Sequence, residues 1–438
     1  MNLHPAYRST RGGAVSVSFE DALLEGLAPD GGLFVPEAIP ALPLSWRSAG
    51  SFPEMALSVL ARWIGHEVAQ DVLEPLLADA LSFPVPLVPL RGGDWDGVYV
   101  LELFHGPTLS FKDFGARTMA RLMGHFLAGR QETVTILVAT SGDTGSAVAD
   151  GFAGQDHIRV VLLYPSGQVS PTQERQLIVA RPGVQALAVR GTFDDCQRMV
   201  KEAFVHEAAA RRHLSSANSI NVGRLLPQML YYVWAVRAGG FDRVHFCVPS
   251  GNLGNLTGGV LAALGGLPVG RFIAAHNAND FFPRVLAGEE ETYRASVRTL
   301  SNAMDVGVPS NYERLRALLP VEELRRRIWG TSVSDDETLA AIRRVYAETG
   351  YLADPHTAVG LEAARRYRRA TGDPTPIIVL STAHPAKFPE VLCEAIGFEA
   401  EVPEQLARLR GADTSVLPIE ASTDELMAYL LAHDAARA

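Results

Sequence analysis

The sequence predicts an α/β fold: two doubly wound parallel-sheet lobes with an extra N-terminal helical segment. Two observations carry this expectation. From about residue 98, short apolar runs (VYVLEL, VTILVA, VVLLY, VQALAV, RVHFCV and PIIVL) alternate with longer stretches of helical spacing. That alternation is the mark of βαβ units whose sheets are covered on both faces. The chain also has 438 residues, 47% hydrophobic and 20% charged, too long for one ordinary core and typical of a globular protein.

The elements follow in order. Residues 1–92 read as a separate N-terminal domain, with helical patterns over 54–64 and 67–81 and many loop prolines. SFPVPLVPL, residues 82–90, reads as an extended link into the rest. Residues 93–438 then form a two-lobed catalytic region, with a smaller lobe over roughly 115–225 and a larger lobe from the remainder. Helices are expected over 113–128, 146–153 and 193–210, and they dominate after residue 311. Residues 258–270 are apolar but short and glycine-rich, so they read as buried core. No run of about 18 apolar residues could span a bilayer, and the first residues lack the apolar core of a signal peptide.

A net charge of -10 argues against nucleic acid or an anionic membrane as partner. Cys196, Cys247 and Cys393 lie far apart without a CxxC pair, which suggests neither a disulfide framework nor a metal site and points to the cytoplasm. Walker A, HExxH, GxSxG and full GxGxxG motifs are absent.

Lysine is scarce: of 39 Lys plus Arg, only Lys112, Lys201 and Lys387 are lysines. Arginine serves as well for most surface charge, but it cannot lose its proton or form an imine with an aldehyde. Two of the three lysines sit at strand-to-helix turns, where ligands bind in open α/β sheets. In FHGPTLSFKDFGAR, Ser110 is a candidate N-cap and Asp113 lies in the first turn. Lys112 then falls at a helix N-terminus between Phe111 and Phe114, where the dipole and partial burial would lower its pKa. A surface lysine is the bland alternative.

Three further turns carry polar chemistry. PSGNLGN, residues 249–255, reads as a phosphate cradle without a lysine, or as a plain glycine-rich turn. TSGDTG, residues 140–145, offers Ser141 and Thr144 to an anion, although Asp143 is awkward there unless it points away or caps the helix. STAHPAKFPE, residues 381–390, offers Ser381, Thr382 and Lys387, the last a rival to Lys112 for any aldehyde. A poised lysine, a phosphate cradle and an α/β scaffold together point to pyridoxal 5'-phosphate.

Here the chain resembles the threonine synthase family, within the fold type II, tryptophan-synthase-β-like pyridoxal phosphate enzymes. The resemblance is carried by YRSTRG, GLAPDGGLFVPEAIP, LFHGPTLSFKDF, SANSINVGRLLPQ, PSGNLGN and STAHPAKFPE, in that order along nearly the whole chain. It implies that Lys112 bonds to the cofactor aldehyde, that Gly251, Asn252, Leu253, Gly254 and Asn255 surround its phosphate, and that Thr382 lies near the ring nitrogen. Leu253 departs from the family's more usual Phe. Asn218, Asn221 and Arg224 would lie near the substrate, Arg224 facing its phosphate or else holding a structural ion pair. Ser141 and Thr144 are candidates for the substrate carboxylate, and Ser9, Thr10 and Arg11 could reach in from the N-terminal part. The implied reaction converts O-phospho-L-homoserine and water to L-threonine and phosphate, in a monomer or homodimer. A threonine or serine dehydratase-like lyase, a β-replacement synthase and a catalytically silent relative are the alternatives.

Overall fold

The computed structural model describes residues 4–13, 16–130, 132–140, 142–207 and 213–435. Its strands are β1 (Tyr7–Ser9), β2 (Phe34–Pro36), β3 (Leu87–Pro89), β4 (Val98–Glu102), β5 (Val134–Ala139), β6 (Ile158–Pro165), β7 (Val184–Arg190), β8 (His213–Ser215), β9 (Val244–Pro249), β10 (Val269–His276), β11 (Ile328–Ser332), β12 (Ile377–Ser381) and β13 (Val416–Glu420). They form a small antiparallel pair, β1 with β2, and two larger sheets. One has six strands in the order β11-β10-β9-β12-β4-β3, and the other five in the order β13-β7-β6-β5-β8. Apart from the edge strand β3, every pairing in these two sheets is parallel. Each of the six apolar runs forms a strand, and the runs are continuous because helices cover both faces of the sheets.

The expected helices form as Lys112–Ala128, Asp143–Phe152 and Phe193–Val205. The last stops short of the expected end, part of which lies outside the described residues. The helix Asp143–Phe152 starts earlier than its apolar periodicity suggested, because the turn residues Asp143 and Thr144 are themselves helical.

Two boundaries differ from the expectation. Val416–Glu420 pairs with β7, so the chain's last strand completes the five-stranded sheet instead of belonging to the larger lobe. Leu426, Met427 and Leu430 follow it into the apolar cluster formed with Leu137, Val161 and Leu187. Short strands carry little local signal for which sheet they join, and this one returns across more than two hundred residues. The N-terminal segment, too, lacks a core of its own. Met55, Val59, Trp63, Leu73 and Leu77 share one apolar cluster with Phe114, Met119 and Leu226. The Phe52 and Phe114 rings meet edge to face at 5.6 Å, and the link residues 87–89 extend the six-stranded sheet as β3. Among the described residues no helix is long and apolar enough to cross a membrane.

Candidate active site

Strands β9, β12 and β4 are neighbours and parallel. Their carboxyl ends therefore lie on one edge of the sheet, and the turns after them converge. That single fact brings together PSGNLGN, STAHPAK and the lysine turn, which are up to 280 residues apart in the chain. The turn after β5 meets them from the five-stranded sheet through a buried contact, described below.

The lysine turn is held by side chains. Leu109 adopts a left-handed conformation, φ 59°. Thr108 is a hub: its N–H and hydroxyl donate to the Asp113 carboxylate at 2.9 and 2.5 Å, while its carbonyl accepts from Gln176 Nε2 and Lys387 Nζ, both at 3.1 Å. Main-chain bonds from Phe111 N to Thr382 O and from His384 N to Leu109 O stitch the turn to the end of β12. Lys112 is the first residue of its helix. The cap is Phe111, without a side-chain bond, and not Ser110, whose hydroxyl is buried and unpartnered. Burial brings the Lys112 amine down to about 8, helped by the positive charges of Lys387 and Arg224 and opposed by Asp143. Only one of the flanking phenylalanines sits beside the amine. Phe111 has its ring centroid 5.7 Å from Nζ, whereas Phe114 packs on Phe52, Phe83 and Tyr231. Two residues along a helix is a rotation of about 200°, so Lys112 and Phe114 face opposite ways.

Asp143 and Lys387, each problematic by itself, answer each other. Lys387 Nζ lies 2.6 Å from Asp143 Oδ1, and both side chains are almost wholly inaccessible. Burial alone would raise the Asp143 pKa, but Lys387 and Lys112 hold it well below the usual carboxylate range. Gln173 Nε2 also donates to Asp143 Oδ1, at 3.2 Å.

The loop of residues 249–255 is held by a glycine turn and by the side chains of Asn252 and Asn255. Leu253 is left-handed, φ 62°, and opens the helix Gly254–Leu264 with no side-chain cap. The first N–H groups of that helix therefore face outward as donors. Gly251 is required by close approach: a Cβ there would lie 2.8 Å from Met304 Cα. Asn252 bridges outward, donating to Ser219 Oγ at 2.7 Å and accepting from Ser310 N at 2.5 Å. Asn255 Oδ1 accepts from both Tyr231 and Tyr232 hydroxyls at 2.7 Å. Its Nδ2 is buried and unpartnered. An uncapped helix N-terminus beside an unused amide donor fits a dianion, so the residues present suit the phosphate of pyridoxal phosphate.

The remaining expected residues divide. Thr382 is buried beside the lysine turn, and Ser381 before it contacts Thr357 Oγ1 at 2.8 Å. Thr357 in turn donates to Asp354, which also accepts from His356 Nδ1 at 2.7 Å. Arg224 is buried, donates to Ala217 O, and has an unpartnered Nε packed on Gly115. Asn218 has a buried, unpartnered Oδ1. Asn221 is fully engaged by main chain: Oδ1 accepts from Gly223 N, and Nδ2 donates to Leu23 O and Ser216 O. It caps a helix and ties the N-terminal segment down, with both Nδ2 protons taken by main-chain carbonyls. Thr144 lies in the first turn after Asp143, and Ser141 falls outside the described residues. Ser9 is bonded to Asp30, and Thr10 and Arg11 to Glu313, so all three anchor the N-terminal hairpin.

Sequence reading missed Asn302, Gln173, His356 and Arg314. Asn302 donates to Gln173 Oε1 at 3.3 Å, and the next residue's N–H donates to His356 Nε2 at 3.2 Å. Buried Arg314 donates to Phe34 O, Ser219 O, Ile220 O and Asn311 Oδ1. The DPHT run at 354–357 was a readable capping signal; the others have none.

A half-buried lysine with a lowered pKa, in a turn on the same sheet edge as an uncapped glycine loop, fits a pyridoxal-phosphate dependent enzyme. Family models agree: one described as "Pyridoxal-phosphate dependent enzyme" matches residues 81–383. Models for "Threonine synthase N terminus" and "Threonine synthase, C-terminal" match residues 6–81 and 357–430. The chain is 42% identical to a threonine synthase of Serratia marcescens, over 95% of this chain and 96% of that one. The crystal structure of a threonine synthase from Brucella melitensis with pyridoxal phosphate bound superposes with a TM-score of 0.91 at 37% identity, covering 99% of this chain and 100% of that one. The Escherichia coli threonine synthase structure gives 0.88 at 38%, covering 98% and 99%. The chain belongs to the threonine synthase family.

Proposed function

We propose that the protein converts O-phospho-L-homoserine and water into L-threonine and phosphate, with Lys112 as its cofactor-binding and acid–base residue. The observation that carries this reading is the Lys112 amine, brought down to about 8 by burial at the meeting point of the turns after β4, β9 and β12. The main chain of residues 251–255 would hold the cofactor phosphate, and Thr382 would sit near the ring nitrogen. When bound, pyridoxal phosphate supplies an electron sink for the carbanions the reaction requires.

The chain's own residues do the rest. Once released by the substrate amine, the Lys112 amine would have a pKa close enough to neutrality to take a proton and return it. It would take protons from Cα and Cβ and return one to Cα. The γ-phosphate leaves, the hydroxyl of water adds at Cβ, and a proton is delivered to Cγ, which becomes the methyl group. Thr144, Asn218 and Arg224 are our candidates for orienting the substrate. A hydroxyl donor suits a carboxylate, and the unpartnered polar atoms on Asn218 and Arg224 are available donors and acceptors. Asn221 acts by position, through its cap. Cys196, Cys247 and Cys393 are all free thiols, which supports a cytoplasmic site for the reaction.

The deciding measurement incubates cofactor-loaded protein with O-phospho-L-homoserine and follows phosphate and threonine together. Equal release of both is expected. Phosphate without threonine would point to simple elimination, and release of neither would remove the substrate assignment.

A further inference from the structure

Lys387 is wholly buried, yet the proposed reaction gives it nothing to do. It reaches from the turn after β12 to Asp143 at the start of the helix after β5, at 2.6 Å, and to the Thr108 carbonyl at 3.1 Å. It thereby joins the six-stranded sheet, the five-stranded sheet and the turn that presents Lys112. Among the described residues, the charges that act most on Lys112 are Asp143, Lys387 and Arg224, of which Asp143 is the carboxylate. Asp143 itself is acted on by Lys387, Lys112 and His356, and Asp113 by Asp150 and Lys387. A buried carboxylate needs a cation. If Lys387 did not supply one, the Lys112 amine is the next cation whose charge acts on Asp143.

We infer that Lys387 is a positioning residue that occupies Asp143 and so leaves the Lys112 amine unpaired and free to bond with an aldehyde. The inference rests on the reading of Lys112 as the cofactor lysine. Attachment needs the neutral amine: it adds to the aldehyde carbon and one water leaves. An ion pair with Asp143 would hold the amine as ammonium and block this step. The arrangement also explains why an aspartate is tolerated at an otherwise anion-binding turn. Its charge is cancelled within the protein.

The test is a charge cycle read by cofactor attachment, independent of turnover. Full-length protein is stripped of cofactor and mixed with pyridoxal phosphate. The absorbance of the attached cofactor is followed across pH, and the modified peptide is mapped after borohydride reduction. Wild type should attach with a rate that rises with pH through about 8. Lys387→Met should move that midpoint up by one pH unit or more, about tenfold slower attachment at neutral pH. Asp143→Asn should move it down, because Lys387 then repels the Lys112 ammonium without compensation. The double variant should return near the wild-type midpoint. Opposite shifts that cancel do not arise from loosened packing. If Lys387→Met fails to fold, the downward shift of Asp143→Asn still carries the test. Unchanged midpoints with the label on the Lys112 peptide would overturn the inference and leave the lysine assignment standing. A wild-type label on the Lys387 peptide would instead overturn the assignment beneath it.

Discussion

The lysine turn and the phosphate loop do comparable work by different means. Each follows a parallel strand, and each contains a left-handed leucine, Leu109 and Leu253, a conformation that costs roughly 1–2 kcal/mol outside glycine. The lysine turn meets that cost with buried side-chain bonds: Asp113 takes two donors from Thr108, and Lys387 and Gln176 cap its carbonyl. The glycine loop uses no charged side chain: Gly251 is pressed against Met304, Leu253 is buried in the core, and Asn252 and Asn255 make only neutral hydrogen bonds. The difference follows from the task. A reacting amine must have its proton affinity tuned, which takes charges at fixed distances. A phosphate needs only N–H groups aimed at one point, which backbone geometry supplies.

If this contrast is right, the lysine turn should fail chemically and the loop sterically. The largest effect is expected for Lys112→Ala, with turnover and covalent attachment both lost while non-covalent cofactor binding persists. Mass spectrometry after borohydride reduction would check it, and a surviving adduct would break the comparison at its root. Gly251→Ala should come next. Its Cβ would fall 2.8 Å from Met304 Cα, so main chain must move. Cofactor affinity should drop at least tenfold, about 1.4 kcal/mol, in an equilibrium titration. Attachment chemistry at saturating cofactor should remain.

Arg224→Ala sharpens the comparison from beside the lysine helix. Losing its bond to Ala217 O and its packing on Gly115 should cost about 1–3 kcal/mol in a denaturant melt. If the arginine also meets the substrate phosphate, KM should rise severalfold with little change in kcat, and an unchanged KM would confine it to structure. The smallest functional effect is expected for Leu253→Phe. If the loop amides hold the cofactor phosphate as proposed, they stay in place, so cofactor affinity should hold within about threefold. The larger ring in a filled core should cost about 1–3 kcal/mol of stability.

Much of this was legible before any coordinates. Each of the six apolar runs named as strands became one, and the strand-to-helix turns carrying Lys112, Gly251 and Thr382 lie on one sheet edge. What stayed hidden was partnership. Asp143 looked misplaced and Lys387 looked like a rival because each is judged by its own neighbours in a linear reading. Asn221 looked like a substrate contact because its polar atoms were not yet seen to be taken by Leu23 O, Ser216 O and Gly223 N.

The sequence by itself determined the element types, the rarity of lysine and the turns where chemistry could sit, because periodicity and local backbone preference act over a few residues. Only the tertiary structure decided which charges face one another, that β13 closes the five-stranded sheet, and that the N-terminal helices share the catalytic core. Those outcomes depend on contacts between residues hundreds of positions apart. A buried charge is defined by what lies within a few ångströms in space, and the order of residues along a chain does not encode that distance.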